Sequence, residues 1–247
     1  LLRRCSAAGD NVVTTGFDPS AQIHPGEIVY APTHTSVELH VRGERFRFDY
    51  PLAGRFNVSN IMNAFGIGLQ LGIPADLIVQ ALSESPQVPG RLERVHAAHD
   101  GGVSVFVDYA HTPDGLKNIL STFRECEKNR LIVVFGCGGD RDKTKRPIMG
   151  SIAEHFADFV IVTSDNPRSE DPRAIIDDIL EGMRDSRTPY KVIENRIEAI
   201  KYAVSIAQPG DIIVLAGKGH ETYQILKNGT IHLDEREVVA EALKSIK

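Results

Sequence analysis

Between residues 104 and 215 the sequence alternates two kinds of segment. Short runs of mostly Val, Ile, Leu and Phe occur at Ser104 to Val107, Leu131 to Phe135, Phe159 to Val162 and Asp211 to Leu215. Between them lie stretches with apolar residues three and four apart: Pro113 to Cys126, Pro147 to Ala157, Pro172 to Met183 and Arg196 to Ala207. Apolar runs this short and unbroken suit strands buried on both faces, as in a parallel sheet. The helical spacing supplies the elements that cover those faces. The alternation predicts a doubly wound α/β fold with a mostly parallel sheet. Tyr223 to Leu226 and Ile231 to Leu233 flank Asn228-Gly229, a hairpin signal, and are expected to give the sheet an antiparallel edge before a terminal helix from Glu235.

The first part of the chain has a different texture. Glu27 to Tyr30, the alternating Val37, Leu39 and Val41, and then Phe46 and Phe48 read as extended segments turning at Arg42-Gly43. Asn57 to Leu71 carries Ile61, Ala64, Phe65, Gly68 and Leu69 at helical spacing, with Asn57 or Ser59 placed to cap its start and Gly72 to end it. A second short helix is expected from Pro74 through Leu82. SESPQVPG then reads as a linker, which puts a boundary near Val88 and divides the chain into 1–88 and 89–247. Near its start the chain carries NVVTTGF, residues 11–17, a strand-like piece with no opening helix or nucleotide loop, as expected of a fragment that starts inside a domain.

Composition narrows the partners. Of 247 residues, 42% are hydrophobic and 25% charged, which is globular usage, and no apolar run approaches the ~20 residues that cross a bilayer. The net charge of −5, with both signs interspersed, gives no basic face for nucleic acid. Cys5, Cys126 and Cys137 are too few and too scattered for a disulfide framework or paired metal ligands. A reducing, cytoplasmic setting is expected, without membrane or nucleic-acid partners.

Four strand ends carry polar clusters: Asp108 to Pro113, Gly136 to Asp142, Asp165 to Arg168 and Gly217 to Glu221. In an open parallel sheet the crevice beyond the carboxyl ends of the strands binds ligands, so the four should converge. Asp165, Asn166, Pro167 and Arg168 offer an acceptor for an amine and a fork for a carboxylate on one stiff turn, matching the two ends of an amino acid. Gly136 to Arg146 places Arg141, Lys143, Lys145 and Arg146 beside Asp140 and Asp142; its glycines permit either close approach to a ligand or simply a tight connection. Gly217 to Glu221 lacks Walker A spacing. Its Glu221 is either an ammonium acceptor or a solvated carboxylate at a loop tip. Asp108 and His111 could transfer protons, but no nucleophile accompanies them, and hydrogen bonding to a ribose or base is favoured, with Thr112 capping a helix opened by Pro113. Asn57, Asn60 and Asn63 share one side of the first helix and serve either capping and solvation or recognition of a base. Arg91 adds a guanidinium beside the boundary. His99 and His155 have no comparable context and are assigned to surface or packing.

In their order along the chain, GRFNVSNIMNA, GRLERV, DYAHTPD, GCGGDRDKTKRPIMG, DNPRSEDPRAI and GKGHETYQ resemble the Mur ligase family, within it the branch acting on UDP-N-acetylmuramoyl-L-alanyl-D-glutamate. The resemblance spans nearly the whole chain. It implies a Rossmann-like carboxyl-terminal domain at 89–247, preceded by the last part of a central ATP-binding domain at 1–88. DNPR marks family members that add meso-diaminopimelate. The resemblance further implies that Arg141, Asp165, Asn166, Pro167, Arg168, Gly217 and Glu221 bind that amino acid, and that Asn57, Asn60, Arg91, Asp108 and His111 face ATP.

The implied reaction is ATP- and Mg2+-dependent amide formation through an acyl phosphate, in peptidoglycan synthesis, by a monomer acting on the UDP-N-acetylmuramoyl dipeptide. The family's G-x-x-G-K-[ST] loop, metal-binding acids, modified lysine and uridine-nucleotide domain have no counterpart in this sequence. The chain thus resembles the carboxyl-terminal half, from which no catalytic residue or metal ligand is assigned and no activity alone is expected. A noncatalytic amino-acid-binding module and a folylpolyglutamate synthetase-like ligase are the alternatives.

Overall fold

The computed structural model describes residues 12–96, 102–126, 129–184 and 187–245. Cys5 and His99 lie outside them. The chain forms two compact units, divided between Pro86 and Gln87.

In the first unit, strands β1 (Ile23–Tyr30), β2 (Thr35–Val41) and β3 (Glu44–Tyr50) form an antiparallel sheet in that order. The β2–β3 turn falls at Arg42-Gly43, where both residues take positive φ, 51° and 91°. That geometry matches the twist of the flanking strands. The described residues of NVVTTGF contribute a single parallel bridge, from Thr15 to Ile23. Helices α1 (Arg55–Gln70) and α2 (Ala75–Ser83) share a core with the sheet, in which Ile23, Leu39, Val58, Ile61 and Phe65 are sealed from water.

Capping of α1 differs from expectation. The helix starts at Arg55 with Gly54 at its cap, and no side chain caps it. Asn57 is already inside the helix, buried, with its amide donating to the Ala53 carbonyl at 2.7 Å. Asn60 donates to Asn57 at 3.1 Å, and the Asn63 oxygen accepts from the Thr15 hydroxyl at 2.7 Å.

The second unit is the doubly wound fold. Its six strands are β4 (Glu93–His96), β5 (Ser104–Asp108), β6 (Leu131–Phe135), β7 (Phe159–Val162), β8 (Tyr190–Val192) and β9 (Ile212–Ala216). They lie in the order β4-β5-β9-β6-β7-β8, parallel except for β4. Alternate residues of the buried strands feed opposite cores. Leu131, Val133 and Phe135 pack with helices α3 (Pro113–Arg124), α4 (Lys145–Phe156) and α5 (Pro172–Leu180). Ile132 and Val134 pack with α6 (Arg196–Ile206) and α7 (Glu235–Lys244). Thr112 caps α3 by accepting from the Gly115 N–H, with Pro113 in the first turn as expected.

The antiparallel edge belongs to a different element from the one predicted. It is β4, while β10 (Tyr223–Leu226) and β11 (Gly229–His232) pair only with each other. Hydrogen bonds commit β10 elsewhere: the Arg168 N–H donates to the Ile225 carbonyl at 3.1 Å, and the Gln224 amide to the Asp165 carbonyl at 2.6 Å. The hairpin braces a loop instead of extending a sheet.

At the start of α6, Arg196 forms a fully buried pair with Glu235 at the start of α7, 2.8 Å apart, and donates a further hydrogen bond to the Ala216 carbonyl at the end of β9. Removing one partner strands the other charge in the core. Arg196→Met is expected to lower the unfolding free energy by about 3–5 kcal/mol, and Arg196→Met with Glu235→Leu by much less, as read from urea denaturation.

Candidate amino-acid site

The carboxyl ends of β5, β9, β6 and β7 open into one cleft of about 520 Å³. Its walls come from all four strand-end clusters, among them His111, Arg141, Asp165, Asn166, Arg168, Gly217 and Glu221. The convergence inferred from topology is therefore present. Pro167 is buried and does not line the cleft; it borders a separate cavity with Ser169, Asp171 and Lys227. Arg91 and Asp108, from the same unit, are also off the cleft wall, and Asn57 and Asn60 belong to the first unit.

Local bonding fixes the tetrapeptide. Arg168 adopts φ +55°, a left-handed conformation that costs about 1–2 kcal/mol in a non-glycine residue. Its N–H is held by Ile225, and Nη1 donates to the Gly139 carbonyl at 2.8 Å. Nε and Nη2 have no partner among the described residues, so one edge of the guanidinium remains for a ligand carboxylate. Arg141, at the rim, spends Nη1 on the Asp140 carbonyl at 2.9 Å.

Asn166 lines the cleft, yet most of its amide is committed within the protein. Oδ1 accepts from Lys218 Nζ and from the Ile225 N–H, both at 2.9 Å, and Nδ2 donates to Glu221 at 2.9 Å. Lys218, which the sequence marked only as part of a failed phosphate loop, has no accessible surface. Its ammonium lies 3.1 Å from Glu221 Oε2 and 3.7 Å from Asp165 Oδ1. Gly217 permits this approach, because a Cβ on it would come within 2.5 Å of Asp165 Oδ2 at a φ of +121°.

Asp108 is 9% exposed, and its Oδ2 accepts from the Leu92 N–H at 2.7 Å. Burial pushes its carboxyl up, opposed by the N–H groups of Leu92 and Ala110 and by the Arg91 charge. It ties the segment after the boundary to β5 instead of presenting a base to the cleft. His111 rests edge-on against Tyr109 with ring centroids 4.6 Å apart, and its Nδ1 bonds the Tyr109 carbonyl at 2.8 Å, leaving Nε2 outward. The Cys137 thiol is buried beside Met149 and pushed up to about 12 by burial, so it is no nucleophile.

Of the cations in the Gly136 to Arg146 segment, Arg146 is internal, whereas Lys143 stays exposed. Arg146 is fully buried, bonding Glu170 at 2.9 Å and Asp178 at 2.8 Å, and Lys143 pairs with Glu170 at 3.0 Å. Lys145 donates to the His111 carbonyl at 2.6 Å and lines the cleft.

With this geometry, family comparison is decisive. The Mur ligase glutamate ligase domain matches residues 90–219, and the Mur ligase middle domain matches residues 1–68. The chain belongs to the Mur ligase family. A UDP-N-acetylmuramoyl-L-alanyl-D-glutamate--2,6-diaminopimelate ligase of Clostridium botulinum is 47% identical over 96% of this chain and 48% of its own length. A solved structure of a ligase with the same name, 36% identical, superposes with a TM-score of 0.74 over 99% of this chain and 50% of that one. A folylpolyglutamate synthase of Mycobacterium tuberculosis, solved with ADP and AMPPCP, shares the fold at 24% identity and a TM-score of 0.66, covering 88% of this chain and 49% of that one. The chain spans about half the length of the curated relatives it matches.

Two features of this Mur ligase chain, Lys218 and the inward-facing Arg146, carried no separate signal in the sequence. A lysine between two glycines, with a carboxylate three residues on, was the available hint for the first. Gly217→Ala is expected to cost about 1–3 kcal/mol of stability in denaturant titration and to displace Asp165 at the cleft wall. Gly229→Ala, with φ +135° and nothing within 4 Å of the added Cβ, should lose stability alone. Glu170 is held at about 2, well below its usual 4.5, chiefly by hydrogen bonds from Arg146 and Lys143. Its depressed value makes its stabilisation complete above pH 4.5 and lost as pH falls towards 2. The thermal midpoint should fall across that window, and Glu170→Gln should flatten the fall.

Proposed function

We propose that this chain is the amino-acid-binding half of an ATP-dependent ligase that joins meso-diaminopimelate to UDP-N-acetylmuramoyl-L-alanyl-D-glutamate in peptidoglycan synthesis. Residues 1–88 are the carboxyl-terminal part of the central ATP-binding domain, and 89–247 the amino-acid-binding domain. The observation that carries the reading is the cleft's paired chemistry. Asp165 and Glu221 supply acidic oxygens for an ammonium, while Arg168 and Arg141 supply guanidinium donors for carboxylates. Diaminopimelate differs from lysine by one carboxylate, and a guanidinium left unpaired by lysine gives a strong basis for discrimination.

In the implied reaction the γ-phosphoryl group passes from ATP to an oxygen of the D-glutamate carboxylate, and ADP leaves. The diaminopimelate amine then attacks the acyl carbon, inorganic phosphate departs and the nitrogen gives up its proton. This chain's residues hold the nucleophile oriented, which converts a bimolecular encounter into a positioned one. On this reading His111, Arg91, Asn57 and Asn60 contact ATP, and Asp108 positions the Arg91 segment. On the family resemblance, Mg2+ accompanies ATP and is held mainly by the remainder of the ligase. No helix among the described residues is long and apolar enough to cross a membrane. The proposed ligase acts as a monomer in the cytoplasm.

Isothermal calorimetry on the chain tests this directly. Meso-diaminopimelate should bind in clear preference to L-lysine, and Arg168→Ala should weaken it about 10- to 100-fold while leaving lysine nearly unchanged. Equal binding of the two amino acids by the unaltered chain would remove the substrate assignment.

A further inference from the structure

Among the described residues Lys218 is the one lysine without accessible surface, and it sits behind the cleft wall, not on it. A buried ammonium costs several kcal/mol unless it is paired and hydrogen-bonded. Here it faces Asn166 Oδ1 at 2.9 Å, Glu221 Oε2 at 3.1 Å and Asp165 Oδ1 at 3.7 Å, with the Tyr223 ring centroid 5.8 Å away. Two carboxylates therefore share one internal cation. In each case the bonded or nearer oxygen is the one turned inward.

The other oxygens, Asp165 Oδ2 and Glu221 Oε1, accept no hydrogen bond among the described residues, although Asp165 is only 6% exposed. Both residues line the cleft. Neither oxygen is wholly cut off from solvent, but an acidic oxygen with little hydration and no protein donor gains free energy when something donates to it. A ligand ammonium has the charge and the hydrogens to do so.

We propose that Lys218 is a positioning residue for the ammonium of the incoming amino acid: its buried charge offsets one of the two carboxylates, leaving a wall with a single net negative charge. The same contacts turn one oxygen of Asp165 and one of Glu221 towards the ligand. This rests on the reading of the cleft as an amino-acid site. It assigns the ammonium end to Lys218, Asp165 and Glu221, and leaves the carboxylate end to Arg168. Lys218 acts through its neighbours and need not touch the ligand.

A double-mutant cycle on meso-diaminopimelate affinity decides it, because residues acting as a unit lose affinity non-additively. By calorimetry on the chain, Lys218→Met and Glu221→Gln should each weaken binding at least tenfold, and the double variant should be no more than threefold weaker than the worse single one. Losses that multiply, or a Lys218→Met variant within twofold of the unaltered chain, would reduce Lys218 to packing and overturn the proposal. Circular dichroism and thermal midpoints establish that each variant is folded. If Lys218→Met does not fold, Lys218→Gln takes its place in the cycle: non-additive losses of at least tenfold support the proposal, and multiplying losses or affinity within twofold of the unaltered chain overturn it. An unaltered chain that binds no meso-diaminopimelate overturns the amino-acid reading itself and this assignment with it, an outcome distinct from failure in the variants only.

Discussion

The side-chain amide of Asn166 meets three groups from two other segments within one hydrogen-bond length: Lys218 and the Ile225 N–H on its oxygen, and Glu221 on its nitrogen. Each of those groups would be costly to bury alone. Joined through one amide, they satisfy one another, and in a low-dielectric setting each bond polarises the next. The loop after β7, the loop after β9 and the hairpin that follows are thereby locked into one arrangement. Arg168 can remain in a left-handed conformation because those neighbours fix the backbone on either side of it.

The sheet beneath supplies a rigid frame. Strands β5, β9, β6 and β7 are adjacent and parallel, so their carboxyl ends emerge on one edge without further design. Apolar cores on both faces hold those ends in place. The buried pair of Arg196 and Glu235 reaches the same edge from below, through the hydrogen bond to the Ala216 carbonyl, one residue before Gly217. Glu170 joins the loop after β6 to the loop after β7 through Arg146 and the Asp140 N–H. Neighbouring loops are thus fastened to each other through polar side chains, while the hydrophobic cores lie within the layers.

Elements buried on both faces were legible in the sequence, because burial leaves runs such as Leu131 to Phe135 with no polar interruption. Strands at the edges left no such mark. Glu93–His96 has three polar residues in four and Tyr190–Val192 spans three residues, so neither rises above its surroundings. The β10–β11 hairpin was recognisable from Asn228-Gly229, but a pattern of residues does not say which backbone a strand will bond, and loop carbonyls won over a sheet edge. At the site, residue types pointed to the loops that meet at the cleft but not to which cation turns inward. Arg146 looks like a ligand-facing charge in one dimension, and Glu170 and Asp178 hold it inward, while Lys143 reaches the same Glu170 from an exposed position. The burial of Lys218 was invisible for the same reason, since its carboxylate neighbours lie 3 and 53 positions away in sequence.

The hairpin's placement bears on how such a site can change over evolutionary time. Its first strand bonds the backbone of the DNPR turn from both directions, through Ile225 and Gln224, so turn and hairpin form a single inheritable module. A lineage drifting towards another amino acid gains little by altering the tetrapeptide in isolation, because a new turn conformation would orphan the hairpin's donors. The Asn166 side chain and the backbone path of the turn are both constrained by a segment nearly sixty residues downstream. Exchange of the two segments together is the route by which specificity can move without loss of fold.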